Sequence, residues 1–342
     1  MRAAVMRNRT MVVADVPEPV PGPGQVLVET IACGICGSDL HALLHAEKLM
    51  ESAKASGAPF VFDIERDVVM GHEFSARVLT PGAGVTNVKA GDVVVSLPVI
   101  LKADGFEGIG YSNQYPGGYA ERMLLTAVLC LPVPAGLDPR HAALTEPMAV
   151  GIHAVAKSGI ATGDAAIVLG CGPVGLAVIA ALKLAGIEPI VAADFSPARR
   201  AFAGGLGAHH VVDPREETAI AAWQRIDGKR PLVIYEAVGV PGMLDSAMRD
   251  APRGARILVV GVCMETDSIW PMVGINKELS IQFVLGYTPE EFTRTLGHIA
   301  SGDIDVAPLI TGEVGIAGVP EAFRTLANPD AHAKILVEPA LG

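Results

Sequence analysis

The sequence predicts an α/β protein of two domains, a small β-rich domain and a doubly wound parallel sheet. Three observations predict it. Up to about residue 147, short runs rich in β-branched residues alternate with Gly/Pro turns. From 148 to about 286, apolar strands alternate with helical segments. Within that stretch the strand "AAIVLG" runs into a Gly-x-Gly-x-x-Gly loop that opens an apolar helix. The remainder, 287–342, fits either domain by composition.

Taken in order, "QVLVET", "SARVLT", "VVVSLP" and "RMLLTAVLCLP" read as strands, divided by "PGPG", "PGAG" and "KAGD". One stretch departs from this pattern. In "HALLHAEKLMESAKASG", Leu43, Leu44, Leu49, Met50 and Ala53 recur at helical spacing with charges between them, which predicts an amphipathic helix. "EPMAVGIHAVAKSG" predicts the helix that opens the second domain. Its strands are "AAIVLG", "EPIVAAD", "HHVVD", "PLVIYEAV", "RILVVG" and "LSIQFVLG". A helix in "TPEEFTRTLGHIASG" and a strand in "AKILVEP" follow.

Half of the 342 residues are hydrophobic, and the net charge of −11 comes without a block of like charge. A nucleic-acid surface is therefore not expected, and a small-molecule partner is. The five cysteines, Cys33, Cys36, Cys130, Cys171 and Cys263, are odd in number and scattered, which fits reduced thiols rather than a disulfide framework. The first residues lack the apolar core of a signal peptide, so a cytoplasmic protein is expected. The run 165–186 has the length of a membrane span, but glycines interrupt it, and no membrane partner is expected.

Each glycine of the loop has a physical task. Gly170 permits the tight turn, Gly172 lets a pyrophosphate approach the backbone, and Gly175 lets helix and strand close up. Pro173 and Val174 lie between them in the same cofactor-binding loop. Asp194 ends the next strand, where a carboxylate can bond adenosine ribose hydroxyls and repel a 2′-phosphate; NAD is expected over NADP. Arg199 and Arg200 soften that preference. Either can stack on adenine, pair with a phosphate, or lie on a solvated helix face.

Cys36, His72, Glu73 and Glu146 are far apart in sequence but all fall in, or at the end of, the β-rich half. One thiolate, one imidazole and one carboxylate suit a zinc ion that keeps an open position. With zinc such a set sums to zero charge. Singly, each residue has a plainer reading: His72 as a turn histidine, Ser38 as a helix N-cap, Glu146 as an acid at a helix N-terminus. His45, His141, His153, His209, His210, His298 and His332 lack comparable settings and are read as structural.

"GPGQVLVE", "CGICGSDLH", "GHEF", "GDVV", "PGGYAE", "TEPMAVGIHA", "GCGPVG" and "KILVEP" together resemble the zinc-containing medium-chain dehydrogenase/reductases, in their polyol and secondary-alcohol branch. The resemblance implies a GroES-like catalytic domain from both chain ends, 1–147 and 287–342, with a Rossmann NAD(P)-binding domain, 148–286, inserted. It implies Cys36, His72 and Glu146 as ligands of one catalytic zinc, with Glu73 behind the metal and able to enter its shell. Ser38 and His41 resemble the proton relay, and Asp39 a residue that orients the histidine ligand. Backbone near Val262 and Leu285 would face the nicotinamide. The "LSIQFVLG" region resembles the edge through which relatives form homodimers, which often pair into homotetramers.

Two departures stand out. The stretch "LPVILKADGFEGIGYSNQYPGGYAE" contains none of the four cysteines that hold a structural zinc in many relatives, so none is expected; packing around Phe106, Tyr111 and Tyr115 takes its place. The insert 42–69 lengthens the distance from Cys36 to His72, as in butanediol-dehydrogenase-like members. It is expected either to wall or cover the substrate pocket or to pack on the β domain. Cys33, three positions before Cys36, has no second Cys-x-x-Cys to complete a clip and reads as a packed thiol.

The expected function is a zinc-dependent NAD(H) dehydrogenase that interconverts a secondary alcohol, diol or polyol with its ketone. A zinc-free, NADP-dependent quinone or enone reductase on the same fold is the alternative, but such relatives usually lack the Cys36, His72 and Glu146 set. A non-catalytic nucleotide-binding protein would have no use for Ser38 and His41.

Overall fold

The computed structural model describes residues 1–58, 62–328, 330 and 332–342. Its first unit, Met1–Glu146 with Leu309–Gly342, is organised around one long strand, Gln25–Gly34. This strand pairs antiparallel with Glu73–Pro81, with Arg122–Thr126 and, at its end, with Lys334–Val337. The last pairing sets Leu336 opposite Gly34 and Val337 opposite Cys33, drawing the end of the chain into the unit. "RMLLTAVLCLP" is two strands, Arg122–Thr126 and Cys130–Pro132, divided by the 3-10 turn Ala127–Leu129. Two hairpins were not foreseen: Arg2–Arg7 with Thr10–Asp15, and Val99–Lys102 with Gly105–Gly108.

The single helix expected over 41–57 is two helices, Gly37–Leu44 and Ala46–Ser56, broken at His45. The second ends on Gly57, whose φ of 68° takes the left-handed cap that lacks a Cβ penalty. Ala42, Met50 and Ala53 are buried, and Met50 Sδ accepts a hydrogen bond from the Phe62 N–H at 3.3 Å. Ala42, Met50, Phe62, Val68 and Val69 all belong to the core of the β-rich unit. The described part of the insert therefore packs on that unit; its residues 59–61 lie outside the described residues.

The second unit, Pro147–Pro308, holds a six-stranded parallel sheet. Its strand order is His210–Val212, Ile190–Ala193, Ala165–Leu169, Leu232–Glu236, Arg256–Val259, Ser280–Phe283. All six lie where the sequence predicts them. The central strands read as continuous apolar runs because helices cover both faces of a parallel sheet. The order reverses beside Ala165–Leu169, and in open sheets of this kind ligands bind outside the carboxyl ends of the strands at such a reversal. Helix Thr145–Ser158 lies against helix Pro173–Leu184 at Gly151, where a Cβ would come within 2.3 Å of the Ala177 backbone.

The two compact units divide after Glu146 and after Pro308, where the sequence reading placed the domain limits at 147 and 286. Helix Pro289–Ser301 stays with the second unit because Glu291 serves two partners there. It caps its own helix through the Thr288 N–H at 2.8 Å and accepts His153 Nδ1 at 2.7 Å, both residues being buried. Only 309–342 returns to the first unit. Among the described residues no helix is long and apolar enough to cross a membrane.

Candidate metal centre and nucleotide loop

Strand Gln25–Gly34 delivers Cys36 to the N-terminal end of helix Gly37–Leu44, so Cys36, Ser38 and His41 come from a helix start and not from a tight turn. The cap is made by Asp39, whose Oδ2 accepts the Cys36 N–H at 3.1 Å; Ser38 is not the cap. Asp39 is fully buried and carries the local network. Its Oδ2 also accepts the Tyr119 hydroxyl at 2.6 Å, its Oδ1 lies 3.1 Å from the Tyr111 hydroxyl, and His72 Nδ1 stands 3.5 Å from Oδ1. Burial opposes its ionisation, but His72, Tyr119 and the Cys36 N–H outweigh burial, and the carboxyl lies below the usual range. Burial likewise opposes charge on His72, yet Asp39 and then Cys36 raise its pKa well above that of ordinary histidine.

Gly71, at φ 102°, turns the chain so that His72 and Glu73 enter the strand Glu73–Pro81 beside Cys36. The donor atoms of Cys36, His72 and Glu73 lie within 4.8 Å of one another. A thiol, an imidazole and a carboxylate at that spacing fit zinc. Glu73 is already engaged, however: Lys334 Nζ donates to both its oxygens, at 2.8 and 2.6 Å, and to the Ile35 carbonyl at 3.1 Å. Both side chains are almost fully buried, and a Cβ at Gly34 would sit 2.1 Å from Glu73 Oε2. Burial works against the Lys334 ammonium; Glu73, Cys36 and Glu146 together more than offset it and raise its pKa. Glu146, in the first turn of Thr145–Ser158 and half-buried, is outside the 4.8 Å group but within electrostatic reach of Lys334.

Ser38 Oγ lies 2.8 Å from the Tyr111 hydroxyl. His41 is half-buried, stacked on His45 at 6.4 Å, and its pKa is lowered by burial and by that neighbouring imidazole. Cys33 is fully buried; a Cβ at Gly118 or Gly71 would stand 2.6 or 2.9 Å from its sulfur. Burial, then Asp39 and Glu73, push that thiol well up, which suits a packed thiol and not a thiolate donor. In the cysteine-free lobe, Tyr111 and Tyr115 pack on the core while Phe106 is exposed on a hairpin. Tyr111, Tyr119 and Lys334 are the site residues that sequence reasoning missed as polar partners. The motifs "PGGYAE" and "KILVEP" already contained two of them.

In the second unit, Gly170 has φ 89°, and a Cβ there would strike Val238 at 2.8 Å. A Cβ at Gly175 would come 1.9 Å from the Gly170 carbonyl oxygen, so helix and strand meet through that glycine. At Gly172 the nearest atom, an Arg199 guanidinium nitrogen, is 3.9 Å away, which leaves the backbone approachable. Pro173 opens the helix and Val174 follows it. Asp194 accepts the Cys171 N–H at Oδ2 and the Ser196 N–H at Oδ1, both at 2.8 Å, and so fixes loop and strand end together. Arg200 is committed to the Asp194 and Phe195 carbonyls and to Asp213, whereas Arg199 keeps a buried Nε without a hydrogen-bond partner. Val262 and Leu285, beyond the ends of Arg256–Val259 and Ser280–Phe283, are 46% and 79% exposed.

Comparison with known proteins agrees with both units. Residues 22–135 match the family model of the alcohol dehydrogenase GroES-like domain, and residues 173–301 match that of zinc-binding dehydrogenases. The (R,R)-butanediol dehydrogenase of Bacillus subtilis (strain 168) is 32% identical, covering 99% of this chain and 100% of the relative. The sorbitol dehydrogenase of the same organism is 28% identical, covering 99% and 97%. The crystal structure of 2R,3R-butanediol dehydrogenase from B. subtilis matches with a TM-score of 0.85 at 31% identity, over 99% of each chain. By sequence, by fold and by the donor set at Cys36 and His72, this chain belongs to the zinc-containing alcohol and polyol dehydrogenases of the medium-chain dehydrogenase/reductase family.

Proposed function

We propose that this protein is a zinc-dependent oxidoreductase that interconverts a secondary alcohol, diol or polyol with its ketone, using NAD(H). The observation that carries the reading is the convergence of the Cys36, His72 and Glu73 donor atoms, with Glu146 near enough to act on Lys334, in a chain that also carries the glycine loop. Cys36, His72 and Glu146 would hold one zinc. Glu146 is preferred to Glu73 because Lys334 occupies both oxygens of Glu73. When bound, zinc supplies Lewis acidity to a substrate hydroxyl, and the nicotinamide accepts or returns a hydride.

The residues of the chain provide the rest. Asp39 orients His72 and raises its basicity as a ligand, and Tyr119 with the Cys36 N–H keeps Asp39 ionised. The Ser38 hydroxyl takes up the proton released by the alcohol and hands its own onward. His41, whose lowered pKa leaves it neutral near pH 7, accepts that proton toward solvent. Gly170, Gly172, Pro173, Val174 and Gly175 would receive the pyrophosphate, and the Asp194 carboxylate favours NAD over NADP. Arg199 lies beside Gly172 with donors to offer a phosphate. Val262 and Leu285 would face the nicotinamide.

The exposed edge strand Ser280–Phe283, with Phe283 and Leu285 71% and 79% exposed, supports pairing with a second copy into a homodimer or homotetramer. All five cysteines are free, which suits the reducing cytoplasm. The test is metal analysis combined with cofactor reduction on a panel of secondary alcohols, vicinal diols and polyols, run with NAD and NADP. One zinc per chain and NAD reduction are expected. Full turnover in metal-free protein would overturn the reading in favour of a zinc-free reductase.

A further inference from the structure

Tyr111 comes from the cysteine-free lobe and is 73 positions from Ser38, yet their hydroxyls stand 2.8 Å apart. Its ring lies 5.4 Å from the His72 ring and is stacked at 6.4 Å on Phe62, which belongs to the insert. Phe62 is held in turn by Met50 through its N–H. The cysteine-free lobe and the insert thus converge on one phenol beside the zinc ligands.

We propose that Tyr111 is a positioning residue for proton transfer, donating its phenolic hydrogen to Ser38 Oγ so that Ser38 is held in one orientation. This rests on the reading of Ser38 as the first proton carrier. A serine hydroxyl has one proton to give and two lone pairs. With one lone pair occupied by Tyr111, the other faces the incoming alcohol proton, and the hydroxyl hydrogen is left to move onward. Those are the requirements for passing a proton through. Asp39 Oδ1 is the competing acceptor for the phenol, but it lies farther away, at 3.1 Å, than Ser38 Oγ at 2.8 Å. An ordinary phenol is protonated near neutral pH and has one hydrogen to donate.

The test is a double-mutant cycle of Tyr111→Phe and Ser38→Ala in the zinc-loaded protein. Phenylalanine keeps the ring packed on His72 and Phe62 and removes only the hydroxyl. In Tyr111→Phe, kcat should fall about tenfold, the scale of one lost hydrogen bond, with KM nearly unchanged and a larger solvent deuterium isotope effect on kcat. In the Ser38→Ala background the same change should lower kcat no further. Zinc content should be unchanged, and a crystal structure of Tyr111→Phe should place Ser38 Oγ in more than one rotamer. Unchanged kcat in Tyr111→Phe, or the same fall with and without Ser38, overturns the inference. Turnover that survives Ser38→Ala overturns the proton path itself, whereas turnover lost in Ser38→Ala and kept in Tyr111→Phe overturns only the role of Tyr111. If Tyr111→Phe does not fold, fluorotyrosine in place of Tyr111 keeps the shape and strengthens the donor; an unchanged isotope effect there also overturns it.

Discussion

Replacing Lys334 with methionine tests the side-chain network behind the metal site. The lysine is 3% and Glu73 1% exposed, and the ammonium bonds both carboxylate oxygens. Methionine fills much of the same space but leaves Glu73 buried beside its oxygens' former donor site with no cation. Removing one partner of a buried pair costs about 3–5 kcal/mol. The unit that contains the pair has about 180 residues, for which each 1 kcal/mol moves Tm by about 2–4 °C, so Tm should fall by roughly 6–20 °C. Scanning calorimetry of the zinc-loaded protein measures this. The double variant Lys334→Met with Glu73→Gln should recover most of the loss, because no uncompensated charge remains. Zinc content should hold at one per chain in Lys334→Met, since Lys334 is not among the proposed zinc ligands. A single-variant Tm within about 2 °C of the parent, less than the shift expected from even 1 kcal/mol, would refute the argument.

Cys36→Ser should abolish both turnover and zinc binding, while Cys33→Ser, which alters a packed thiol, should keep zinc and most activity; elemental analysis of the two variants distinguishes them. Gly175→Ala places a methyl carbon 1.9 Å from the Gly170 carbonyl oxygen, so it should cost about 1–3 kcal/mol of stability and weaken NADH binding; an unaltered NADH fluorescence titration would count against the loop assignment. Burial pushes the Cys130 and Cys171 thiols up to about 12 from 9.0. The unfolded chain therefore ionises first: this contribution to stability is fully present below pH 9 and is lost as pH rises through about 12, which denaturant midpoints on either side of pH 9 will register. Asp194→Ser removes a carboxylate that would meet a 2′-phosphate, and should raise NADP use relative to NAD in paired kcat/KM measurements.

The parallel sheet was legible in the sequence because a strand buried on both faces is a continuous apolar run, and because Gly170, Gly172 and Gly175 are required by local geometry. Cys36, His72, Glu73 and Glu146 were legible as candidates through their residue types and motifs. The hairpin Arg2–Arg7 with Thr10–Asp15 was missed: two non-glycine residues, Asn8 and Arg9, take positive φ at its turn without the usual turn glycine. The break at His45 was hidden by an apolar stripe that runs on through it.

By itself, the sequence determined most of the elements and the glycine loop, which depend on residues close together along the chain, and offered Cys36, His72, Glu73 and Glu146 as possible metal donors by residue type and motif. Only the tertiary structure decided that Lys334, 261 positions from Glu73, holds that carboxylate, and that Tyr111 reaches Ser38. It also decided that helix Pro289–Ser301 stays with the second unit. The reason is physical: these contacts are set by strand register, as where Leu336 pairs with Gly34, and by which side chains then share one buried space.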